Sequence, residues 1–203
     1  MSRRPIPNID EKIIQATIEI AGGTMRVNRF SMREVAERAG CSEFVIFSHF
    51  KTKARLIAAT NAYSLQDITK RFERAIAKYH DIEDVFVEIL DEAVAYPSAT
   101  EFAVNYAHIF PRTEAVAEYK DFRVRMKGLV KVIVSAFPLK KEYDNDLDSY
   151  LMACHLLREC ATAGKALIHH EVDNTPEIKR AIARNALYGL SAYKKNHNER
   201  AAG

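Results

Sequence analysis

Apolar positions recur along the chain with a helical period almost throughout, and no strand-like alternation lasts more than a few residues. A first helix is predicted from Asn8, which with Glu11 makes a capping-box-like pair; its apolar face is Ile9, Ile13, Ala16 and Ile20, and Gly22-Gly23 ends it. A second starts at Ser31, with Glu34 as capping-box partner and Met32, Val35, Ala36 and Ala39 inward. Gly40 supplies the left-handed turn that follows. Ser42 caps a third helix ending near Phe50. Thr52 caps a long fourth, residues 53–78, whose stripe is Leu56, Ala59, Tyr63, Ile68, Phe72 and Ile76. Further helices are expected over 82–95 (stopped by Tyr96-Pro97), 99–109 (stopped by Phe110-Pro111), 114–137, 146–170 and 176–195, the last with Pro176 in its first turn. "LKKEYDNDLD" reads as a charged loop, and the last residues as a fraying tail. The fold class is all-α.

Composition narrows the class. With 203 residues, 48% hydrophobic and 28% charged, the chain has enough apolar material for a core and enough length for one or two domains. The net charge of +3 is compatible with a nucleic-acid partner without arguing for one. Its distribution says more. Residues 1–53 hold nine Lys/Arg (3, 4, 12, 26, 29, 33, 38, 51, 53) against six Asp/Glu (10, 11, 19, 34, 37, 43), so the excess sits at the N-terminal end. Cys41, Cys154 and Cys160 make no disulfide framework; together with the lack of a signal-peptide-like stretch in "MSRRPIPNID" they lead us to expect reduced thiols and a cytoplasmic location. No apolar run approaches a membrane span. No Gly-x-Ser-x-Gly, His-Glu-x-x-His or phosphate loop is present, so no enzyme and no cofactor are expected. His169, His170 and Glu171 are adjacent on a helical pattern and diverge, so no metal is expected either.

The third helix is the anomaly. Phe44, Val45, Ile46, Phe47 and Phe50 crowd a short segment that also carries Glu43, Ser48 and His49. Two short helices with Gly in the turn are either an ordinary helical hairpin or a DNA-reading helix-turn-helix, in which the second helix enters the major groove. In the latter, Ile46 and Phe50, one turn apart, pack inward, while Glu43, Phe44, Phe47 and Ser48 face out.

The stretch "FSMREVAERAGCSEFVIFSHFKTKARLI" resembles the DNA-binding signature of the TetR family of bacterial transcription regulators. The match is carried by Ser31, Arg33, Glu34, Val35, Ala36, Ala39, Gly40, Ser42, Ile46, His49, Phe50, Lys53 and Leu56. Three features depart from that pattern. The loop before the second helix is a residue longer, Phe47 stands where Tyr is habitual, and Glu43 and Phe44 replace small, neutral or basic residues. The resemblance implies a helix-turn-helix domain over residues 1–53 and a helical ligand-binding and dimerisation domain over 54–203. It places Ser31, Arg33, Ser42, Glu43, Phe44, Phe47, Ser48, His49, Lys51 and Lys53 at double-stranded operator DNA. Of these, Ser31, Arg33, His49, Lys51 and Lys53 are expected on phosphates, Arg33 alternatively on a base edge. Glu43 suits a cytosine amino group; Phe44 and Phe47 suit thymine methyl groups, Phe47 alternatively packing.

The remaining helices are less specific. Tyr63, Phe86, Phe102, Tyr106, Phe122, Met126 and Arg158 are the candidate lining of a cavity for a small amphipathic effector, or else core residues. Arg158 meets Glu88, Asp91 or a ligand carboxylate, or faces solvent. Ala153, Cys154, Ala161, Gly164 and Ala166, with Ile178, Ile182, Ala186, Gly189 and Leu190, form either a homodimer seam or an intramolecular core. The reading is a ligand-responsive DNA-binding regulator, a repressor released by its effector. The alternative is an interaction protein that kept this fold and lost specific DNA binding.

Overall fold

The computed structural model describes residues 8–22, 30–106, 124, 127–129, 131–132 and 146–186. Its long elements are helices: α1 (Ile9–Gly22), α2 (Met32–Ala39), α3 (Glu43–Phe50), α4 (Lys53–Lys78), α5 (Ile82–Ala95), α6 (Pro97–Tyr106), α7 (Asp146–Ile168) and α8 (176–186). The described residues form two compact units. One holds α1, α2, α3, α4 up to Ile68, and α6; the other holds α4 from Thr69, α5, α7 and α8.

In the first unit, α1 packs on both α2 and α6, and α2 on α3. The compact unit around the helix-turn-helix is therefore larger than residues 1–53. The core joins Ile13, Ile18 and Ala21 of α1, Val35 and Ala36 of α2, Ile46 of α3, Leu56 and Ile57 of α4, and Phe102 and Tyr106 of α6. Phe102 and Tyr106 stack at 4.8 Å between centroids, and Phe30 meets Tyr106 edge-on at 6.2 Å. The Asn61 amide donates to the Tyr106 carbonyl at 3.0 Å, satisfying a buried polar pair. The contact of α1 with α6 is close enough to require glycine: a Cβ on Gly22 would stand 2.0 Å from the Ser98 carbonyl oxygen.

The second unit buries Phe72 and Ala75 of α4, Val85, Phe86 and Leu90 of α5, Leu156, Cys160 and Leu167 of α7, and Ala183 and Ala186 of α8. Around that core runs a ring of ion pairs centred on α5. Glu92 lies 3.3 Å from Arg71 and 3.5 Å from Arg74; Glu88 takes Lys78 at 3.1 Å and the Tyr79 hydroxyl at 2.9 Å. From α8, Lys179 pairs with Asp91, Arg180 with Asp84 at 2.8 Å and Arg184 with Glu83 at 2.9 Å.

Several expectations change. Asn8 has φ +60° and offers only its carbonyl to the Lys12 amide, at 3.1 Å. An N-cap needs an extended backbone, so the expected box with Glu11 gives way to a left-handed Asn. The helix over 82–95 ends at Ala95, just before Tyr96-Pro97, as expected, but the helix expected from Ala99 starts already at Pro97, which takes its first position, where the missing N–H costs no bond. Gly164 is buried with Leu156, Cys160 and Leu167 on the face of α7 that belongs to its own unit, and Ala186 is likewise buried. At these positions the intramolecular alternative holds.

Candidate nucleic-acid interface

The hairpin is set by local chemistry. Ser31 caps α2 with a complete capping box: the Ser31 hydroxyl accepts from the Glu34 amide at 3.1 Å, and the Glu34 carboxylate accepts from the Ser31 amide at 2.6 Å and hydroxyl at 2.8 Å. These bonds hold the Glu34 carboxyl below its ordinary pKa, the backbone bond first. Gly40 closes α2 at φ +69°, ψ +34°, the left-handed geometry that turns the chain into α3. Ser42 stands at the N-cap position of α3, but its side chain makes no capping bond, so its hydroxyl is left to the surface.

Helix α3 divides as its period requires. At about 100° per residue, Glu43, Phe47, Phe44 and Ser48 share one arc and Val45, His49, Ile46 and Phe50 the other. Ile46 is fully buried, and Val45 and Phe50 are half-buried against the same core. Phe44 is 80% exposed and Phe47 43%. Phe47 is thus not the core residue of the packing alternative. An isolated surface aromatic is unremarkable, but two on adjacent turns beside Glu43 and Ser48 are an apolar strip in a polar setting.

The cations around this strip are engaged within the protein. Arg33 Nε donates to Glu37 at 2.9 Å across one turn of α2. Lys51 Nζ donates to the Ser48 carbonyl at 2.7 Å, capping the C-terminal end of α3. Lys53 Nζ donates to the Phe30 carbonyl at 2.5 Å and lies 4.1 Å over the Phe30 ring; its partial burial lowers its pKa. His49 Nδ1 stands 2.6 Å from Asp10 and ties α3 to α1. All of these were placed on phosphates from the sequence. The structure gives each a second duty; those of Arg33 and Lys51 are local, while those of Lys53 and His49 join residues up to 39 positions apart (Asp10 and His49), which no local spacing reveals.

Lys51 carries a further feature. Its φ of +64° with ψ −47°, and the Thr52 amide donating to the Phe50 carbonyl at 2.7 Å, make a γ-turn of positive φ between α3 and α4. That conformation is strained for any residue with a Cβ.

The candidate effector residues are dispersed. Phe102 and Tyr106 lie fully buried in the core of the first unit, Tyr63 is 39% exposed in the same unit, and Phe86 is fully buried in the second. Arg158 is exposed, 4.0 Å from Glu159, while the carboxylates offered to it, Glu88 and Asp91, are taken by Lys78 and Lys179. Of the sequence alternatives for Arg158, the solvent-facing one holds. Phe122 and Met126 lie outside the described residues. Cys41 and Cys160 are free thiols, and burial pushes both above the ordinary thiol value, so neither is poised as a thiolate. Among the described residues no three His, Cys, Asp or Glu side chains are placed to hold a metal, and no helix is long and apolar enough to cross a membrane.

Residues 27–60 match the family model described as bacterial regulatory proteins, TetR family. That span contains α2, α3 and the start of α4. Over the longer chain, the nucleoid occlusion factor SlmA of Edwardsiella ictaluri is 21% identical across 157 residues, 75% of this chain and 79% of that protein. Among solved structures, a TetR-family transcriptional regulator from Streptomyces coelicolor superposes with a TM-score of 0.67 at 11% identity, covering 97% of this chain and 86% of that one. A TetR-family regulator from Marinobacter aquaeolei gives 0.64 at 12% identity, covering 88% and 93%.

Proposed function

We propose that this chain, of the TetR family in its helix-turn-helix and in its fold, is a DNA-binding transcription regulator: a homodimeric repressor released from its operator by a small amphipathic effector. The observation that carries the reading is α3. A helix with Ile46 fully buried and Phe44 and Phe47 exposed one turn apart is fixed on one side and presented on the other, directly after a Gly40 turn from a capped α2. In this reading, residues 1–53 contact DNA and residues 54–203 hold the effector and the dimer contact. Two heads then occupy half-sites about 34–36 Å apart, one turn of the duplex. An effector that favours a conformation with another head spacing lowers DNA affinity, and DNA lowers effector affinity by the same factor. The curated relatives are named nucleoid occlusion factors, and work at the nucleoid suits a DNA-binding head.

The test is selection of bound duplexes from random DNA by the full-length chain, with light scattering of the free protein. The expected outcome is twice the chain mass and an enriched sequence with two related half-sites. Two observations favour a second reading, that of an interaction protein without specific DNA binding. Glu43 puts a carboxylate on the outward arc, and Arg33, Lys51, Lys53 and His49 are held internally. Failure of the folded protein to enrich any sequence favours it over DNA reading.

A further inference from the structure

We infer that the head reads its operator chiefly through thymine methyl groups, which Phe44 and Phe47 cover in the major groove. The inference rests on the DNA-binding reading and specifies the chemistry of that same surface.

Three observations carry it. First, Phe44 and Phe47 are both exposed, at 80% and 43%, and both lie on the outward arc of α3. A phenylalanine has no hydrogen-bonding group, so among base edges it has one apolar partner in the major groove, the C5-methyl of thymine. Secondly, their spacing fits. Three residues of helix advance about 4.5 Å. Successive base pairs are about 3.4 Å apart. The two rings therefore reach methyl groups on neighbouring or next-neighbouring steps. Thirdly, the described cations beside the strip each already have a partner within the protein. Arg33 is paired with Glu37, Lys51 with the end of α3, and Lys53 with the Phe30 carbonyl and ring. Glu43, beside the two rings on the same arc, repels phosphate and favours a base-edge donor, the cytosine or adenine amino group. A membrane or an apolar protein groove suits this strip less well, because Glu43, Ser48, Arg33 and Lys51 surround it with exposed polar groups.

The experiment removes the methyl group and leaves the protein intact. The full-length chain is titrated with its selected operator and with copies in which single thymines are replaced by deoxyuridine. Each replacement under Phe44 or Phe47 is expected to weaken binding about fourfold, the transfer value of one buried methyl group. Phe44→Ala should abolish the loss at one position and keep it at the other, and Phe47→Ala should do the converse. Equal binding of thymine and deoxyuridine operators at every position overturns the inference and leaves the DNA-binding reading standing. So does a Phe44→Ala, Phe47→Ala double variant that still distinguishes them. If selection enriches no sequence, both readings fall.

Discussion

The two compact units solve the same packing problem by different means. In the first, α1, α2, α3 and α6 meet through apolar side chains, and its termini are sealed by directed bonds, the Ser31–Glu34 box and the Gly40 turn. In the second, the apolar core of Phe72, Phe86, Leu90, Leu156 and Leu167 is rimmed by carboxylates of α5, each met by a cation from α4 or α8. Apolar burial has no preferred direction, and capping bonds are local. Ion pairs act at a distance, are partly hydrated, and are screened by salt. The head thus holds α3 chiefly through apolar burial, with the His49–Asp10 contact to α1 and the Arg38–Glu19 pair between α2 and α1 at its surface, and should respond less to ionic conditions than the second unit does. The setting of α5 leans more on charge, so salt should loosen it more.

The sharpest way to break this contrast is to hollow the head. Ile46→Ala removes a fully buried side chain that fixes the orientation of α3 and should cost about 2–5 kcal/mol. Thermal melting at low and high salt checks it, and the loss should be the same in both. A loss that shrinks at high salt would mean that charge carries the head after all.

Next in size is the strained turn. Lys51→Gly relieves a positive-φ residue, a strain of about 1–3 kcal/mol, against roughly 0.5–1 kcal/mol of added chain entropy in the unfolded state. A net stabilisation of about 1 kcal/mol is expected by denaturant titration. If Lys51 leaves the Ser48 carbonyl to meet a phosphate in the complex, the same variant binds DNA more weakly and its salt slope falls by roughly one counterion. A more stable protein with unchanged binding would confine Lys51 to a structural part.

The sequence made the head legible because its determinants are local. Ser31 with Glu34, Gly40, and the apolar pattern of α4, in which Tyr63 is nevertheless exposed, each act within one or a few turns, and α2, α3 and α4 lie where those signals put them. Pro97 was ambiguous for a physical reason. A proline is unfavourable inside a helix and favourable at its first position, so it marks a boundary without saying which side is helical. Gly164 was ambiguous too, since a small residue suits close approach to a partner helix of either subunit. Lys53 over Phe30, His49 beside Asp10 and the cations around α5 join residues far apart in the chain, and only the folded arrangement selects those partners. Arg158 shows the same limit in reverse: its nominal carboxylate partners exist, but other cations reach them.

On the side of the charged unit, Lys179→Met should change stability by no more than about 1 kcal/mol. The Lys179 side chain is buried, but Asp91 is half exposed and is rehydrated when the ammonium is removed, while the methionine keeps the apolar contacts. Placed beside Ile46→Ala, this separates a core contact from a rim contact. A loss as large as that of Ile46→Ala would make the ring of pairs a principal source of stability.

The smallest expected effect is a dependence on pH, and it touches both units. The Glu34 carboxyl is held below its ordinary value by the Ser31 amide and hydroxyl, and the Glu88 carboxyl by Lys78 first and Tyr79 second. For a group whose folded pKa is depressed, the added stability is fully present above the unfolded value, about 4.3 for Glu, and is lost as the pH falls through the folded value. Glu34→Gln and Glu88→Gln preserve shape and remove the charge. Each variant should be less stable than the parent near neutrality, and the difference should close as the pH is lowered below the ordinary carboxylate range. Denaturant midpoints of parent and variants across that range measure it. Glu34 bonds to a neutral backbone amide and hydroxyl, so its difference should survive high salt; Glu88 faces an ammonium, so its difference should diminish there. If salt erases both equally, the capping box is held by long-range charge instead of by its hydrogen bonds, and the contrast between the two units fails at the residue where the head most resembles its neighbour.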